Sequence, residues 1–101
     1  MNHEKLRKIL QEAVEEGLSV LGESGKRATM FHMKNTFEIK IEDASFNIKE
    51  FTDALRVIFG PGAIFLEQII LEKICNKIGL KKAADLSLEE AVEKLSNLKG
   101  E

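Results

Sequence analysis

The chain is 101 residues long, carries a formal net charge of −2, and contains one Pro, one Cys and neither Trp nor Tyr. That length suits a single domain, 1–101, built round one core; the charge balance supplies no global pull toward nucleic acid or an anionic membrane. A solitary Cys75 excludes an intramolecular disulfide and a multi-cysteine zinc site.

The first helix shows the cleanest pattern. Leu6, Ile9, Leu10, Ala13, Val14, Gly17, Leu18 and Leu21 recur at three- and four-residue steps and make one apolar stripe. Glu4, Lys5, Lys8, Glu12, Glu15 and Glu16 occupy the other face, where Lys8 and Glu12 stand four apart. The N-terminal residues lead straight into this helix with no apolar signal core, so a cytoplasmic protein is expected. No apolar run approaches the roughly 20 residues of a membrane span, so no membrane partner is expected either.

Gly22 is placed to end this helix in a left-handed cap, and Ser24 to cap a second one through Ala28, Met30, Phe31 and Met33 toward Phe37. Phe37-Glu38-Ile39-Lys40-Ile41-Glu42 alternates apolar and polar, the period of a strand. A strand without a partner is unstable, and Glu42-Asp43 lacks the glycine of a tight hairpin to Phe46 and Ile48. The expectation is therefore a short extended connector near residues 37–42 with a helical turn, a hairpin being the alternative.

Asn47 and Glu50 form a variant capping box for a third helix. Its expected core face is Ile48, Phe51, Leu55, Ile58 and Phe59, with Thr52, Asp53 and Arg56 looking outward. Gly60 stops it, Pro61 suits the first turn of the next helix, and Gly79 caps that fourth helix, with Leu80 folding back on it. After Lys81 to Ala84, Ser87 and Glu90 make a capping box for a fifth helix, whose Leu88, Ala91, Val92, Leu95 and Leu98 share a face. The fold class is all-α, a compact orthogonal bundle of about five helices.

The fourth helix is apolar nearly all round, so other chain or another subunit must cover it. Phe65, Leu66 and Ile69 form a second apolar face and are the residues expected to mediate self-association, most economically as a twofold homodimer. Glu67 sits among Ile64, Ile70, Leu71 and Ile74. Either its carboxylate snorkels to water near the helix start, or it is buried and paired with Arg27, Arg56 or His32.

No catalytic constellation emerges, and no cofactor or metal set. Gly22 to Arg27 lacks the first glycine of a phosphate-binding loop, where Val20 stands, and the hydroxyl that should follow Lys26, where Arg27 stands. His32 and Cys75 have no further ligand at metal spacing, and Cys75 falls on the stripe with Leu71, Ile74 and Ile78 as a small hydrophobe. Lys26, Arg27 and Lys34, with Lys40 nearby, form the one local basic excess, and Lys26, Arg27, His32 and Lys34 are the expected polar surface.

Two blocks carry a family resemblance: Leu21-Gly22-Glu23-Ser24-Gly25-Lys26-Arg27-Ala28-Thr29-Met30-Phe31-His32-Met33-Lys34-Asn35-Thr36-Phe37, and Phe51 to Ala63 with the Leu66-Glu67 that follow. Together, over roughly residues 6 to 78, they resemble a family of small archaeal helical domains named as a Nitrosopumilus output domain. Members occur alone or attached to signalling modules, so the resemblance implies an output or interaction role; it brings no catalytic residues. The chain departs from the family pattern between Phe37 and Phe51, where a Pro-rich acidic connector gives way to Phe46 and Ile48. The expected function is a non-enzymatic protein-interaction or signalling-output domain. The alternatives are a nucleic-acid-binding regulator using the second helix, and a small-ligand domain with a pocket of Met30, Met33 and Phe residues anchored by Glu67 or His32.

Overall fold

In the computed structural model, which describes residues 3–43, 46–79, 87, 88 and 90–93, the spine is a pair of helices distant in sequence. α1 (His3–Leu18) lies along α4 (Ala63–Ile78). The stripe of α1 supplies Leu6, Leu10, Ala13, Val14 and Leu18 to the core, and α4 supplies Ala63, Leu66, Ile70, Leu71, Ile74 and Cys75. Gly17 sets how closely they approach. A Cβ there would stand 2.5 Å from Ile70 Cγ1 and 3.4 Å from its Cα, so any larger residue forces at least the Ile70 side chain to shift.

The break after α1 is tighter than the sequence suggests. A 3-10 turn, Ser19–Leu21, runs directly into α2 (Gly22–Phe37). Gly22 marks the break with φ 83, but its ψ of 167 is extended rather than the left-handed helical cap expected. Ser24 is not the N-cap. Position N-cap belongs to Leu21, which offers no side-chain bond, because the glycine reverses the chain at once and leaves Ser24 inside the first turn.

α2 closes on Glu38, whose φ of 59 and ψ of 32 place a non-glycine residue in the left-handed region. The N–H groups of Glu38 and Ile39 both donate to the Met33 carbonyl, the latter at 3.0 Å. The alternating run that follows is used as a connector with no regular structure over 38–40. Ile39 and Ile41 are buried while Lys40 and Glu42 are exposed, and Ile41–Asp43 forms a 3-10 turn. Gln11 Nε2 donates to the Glu42 carbonyl at 3.0 Å and ties the connector to α1. Among the described residues there is no strand, so the hairpin alternative is not realised.

α3 (Ile48–Phe59) begins as anticipated: Asn47 Oδ1 accepts from the N–H of Lys49 at 2.9 Å and of Glu50 at 3.1 Å. Phe51 and Leu55 are fully buried, and Phe46 stacks at a tilt on Phe51, centroids 5.6 Å apart. Thr52 corrects the outward face. It is 0% exposed, and its Oγ1 donates to the Lys49 carbonyl at 3.0 Å, a bond that lets a hydroxyl enter the core. A 3-10 turn, Gly60–Gly62 with Pro61 in its first turn, joins α3 to α4, and Gly79 caps α4 in the left-handed region, its N–H on the Cys75 carbonyl.

Ser87 and Glu90 form the reciprocal capping box, Ser87 N–H to Glu90 Oε1 at 3.0 Å and Glu90 N–H to Ser87 Oγ at 3.1 Å. Leu88, Ala91 and Val92 then join the core. Leu80, the segment Lys81 to Ala84, Leu95 and Leu98 lie outside the described residues. The chain is all-α, but the count of about five separate helices is corrected. Helix and 3-10 turn join without interruption over 3–37 and over 48–78, and the third helical stretch among the described residues holds 88 and 90–93. Gly22 and Gly60 turn the chain within a single 3-10 turn, so helices expected to be separated by loops are consecutive.

Candidate functional site

Glu67 resolves to the buried alternative. It is 7% exposed on the second turn of α4, and its carboxylate meets Arg56 on the last turn of α3. Arg56 Nε donates to Oε2 and Nη2 to Oε1, each at 3.2 Å, a two-pronged bond that matches guanidinium to carboxylate geometry. Arg56 is half-exposed, so it brings charge to a buried acid while keeping part of its own hydration. Of the three partners open to Glu67, the turn at Gly60–Gly62 selects Arg56 by folding α3 back on α4. Arg27 instead pairs with Glu23 on its own helix at 3.3 Å, and His32 packs edge-on against Phe37, centroids 5.7 Å apart.

The three residues expected to mediate self-association do not share one environment. Leu66 is in the core at 5% exposure and offers nothing to a partner. Ile69 is half-buried, and Phe65 stands out at 72% exposure. Ile64, expected beside Glu67 on the covered side, is 59% exposed and stands next to Phe65 at the start of α4. The outer apolar face therefore consists of Ile64 and Phe65 with Ile69 partly covered.

The expected basic surface is dispersed. Lys26 turns to α1, its Nζ 3.7 Å from Glu15 Oε1. Arg27 is answered by Glu23, His32 lies on the groove side of α2 with Phe37, and Lys34 is exposed in the last turn. An open groove of about 610 Å³ separates α2 from α3, with Leu21, Gly25, Ala28, His32, Val57 and Phe59 along it. Of the residues expected to line a ligand pocket, His32 and one of the Phe residues, Phe59, contribute there. Met33 is fully buried, Met30 is half-buried, and Glu67 is committed to Arg56. Cys75 is buried in the core, as its place on the α4 stripe implies. Among the described residues no three His, Cys, Asp or Glu side chains stand where they could hold a metal ion.

One electrostatic cluster was not anticipated. Lys77 Nζ of α4 lies 2.7 Å from Glu16 Oε2 and 3.6 Å from Glu12 Oε1, both on α1. The hydrogen bond to Glu16, outweighing some desolvation, raises the Lys77 ammonium above the ordinary lysine value. With Lys26 on Glu15, three acids of α1 are answered by cations from two other helices. The signal was present in the sequence: Glu12 and Glu16 are like charges four apart, an unfavourable pair unless a cation arrives from elsewhere.

Taken as one piece, the helical run Ile48–Ile78 is long and apolar enough to cross a bilayer. It is not one straight piece. The turn at Gly60–Gly62 divides it into helices of 12 and 16 residues that pack against each other, and each falls short of the roughly 20 residues a span requires.

No family model, curated protein or solved structure matches this chain.

Proposed function

We propose that this chain is a non-enzymatic protein-interaction or signalling-output domain of the Nitrosopumilus output domain type, which pairs with a second copy of itself through the outer face of α4. The observation that carries the reading is Phe65, 72% exposed, with Ile64 beside it at 59%. A Phe or Ile side chain left in water forgoes about 1.5–3 kcal/mol of burial, so two adjacent ones at a helix start favour a covered state. A twofold axis covers both with a single patch that serves each copy, which makes it the most economical cover. The half-buried Ile69, one turn further along, extends the patch. An orthogonal crossing of the helices and a cytoplasmic archaeal setting complete the reading.

The test is the mass in solution, by light scattering across a concentration series, of the wild type and of Phe65→Ser. The expected result is a dimer that the substitution converts to a monomer while the helical circular dichroism is unchanged. A wild type that stays monomeric through tens of micromolar overturns the proposal.

A further inference from the structure

We draw no further inference here: the strongest candidate, the open apolar groove between α2 and α3 along Leu21, Ala28, His32, Val57 and Phe59, carries nothing because nothing in the structure shows what covers it.

Discussion

Replacing Arg56 by Ala is expected to be more damaging than replacing Glu67, although the two side chains form one bond pair. Removing the guanidinium strands a carboxylate that is 7% exposed among apolar neighbours. Breaking a fully buried pair in that way costs about 3–5 kcal/mol. Arg56 is half-exposed and water can reach part of the vacated volume, so about 2 kcal/mol is the scale expected here. For a domain of this size that corresponds to a fall in Tm of about 8–16 °C. Glu67→Met, which keeps the length and removes the charge, leaves Arg56 solvated and is expected to cost less than about 1 kcal/mol. The decisive species is the double variant Arg56→Ala/Glu67→Met. It is expected to be more stable than Arg56→Ala alone by about 1 kcal/mol, because the second change removes the stranded charge. Urea denaturation followed by helical circular dichroism reads all three, the chain having no Trp or Tyr for fluorescence. If Arg56→Ala proves neutral, or if adding Glu67→Met lowers its stability further, the account of Glu67 as a buried acid held by Arg56 is wrong.

Gly17→Ala should destabilise by about 1–3 kcal/mol through overpacking against Ile70, despite the better helix propensity of Ala; a rise in the urea midpoint would show that α1 and α4 can separate at no cost. Asn47→Ala removes the acceptor for two N–H groups at the start of α3 and is expected to cost about 1 kcal/mol by the same measurement, with Asn47→Asp close to wild type. Glu38→Gly relieves a left-handed backbone at the end of α2 and should raise Tm, the gain being on the order of 0.5–1 kcal/mol. Lys77 has a raised folded-state pKa, so its contribution is fully present below the ordinary value of 10.5 and is lost as pH climbs through the higher folded value. Lys77→Met should therefore differ from wild type in urea midpoint near neutral pH and converge on it at strongly alkaline pH; a constant difference would refute the ion-pair origin.

Several features were legible because they are local. The stripe of α1 is a matter of spacing within one helix, and Leu6, Leu10, Ala13, Val14 and Leu18 are all buried. The caps at Asn47, Gly79 and Ser87–Glu90 depend on residues within four positions of one another. Thr52 was misplaced because a hydroxyl counts as polar in a periodicity reading, whereas its bond to the Lys49 carbonyl of its own helix lets it enter the core. Ser24 failed as a cap because its assignment assumed a loop after Leu21, and Gly22 removes the need for one.

The candidate surface was less legible, for a different reason. A helix apolar on every side has no direction in its pattern, so nothing in the order Phe65, Leu66, Ile69 says which of them meets the core. Docking α4 against α1 decided it, putting Leu66 inside and leaving Phe65 and Ile64 outside. The lysine that answers Glu12 and Glu16 lies more than sixty positions away in the chain, beyond the reach of any local pattern.

By itself the amino-acid order determined that the molecule is helical, where α3 begins and ends, where α4 ends, and that Glu67 would require either water or a cation. Only the tertiary structure chose Arg56 for that role, and only it exposed Phe65. Periodicity and capping act within a turn or two of helix, whereas charge pairing and coverage depend on which distant segments the fold brings within a few ångströms.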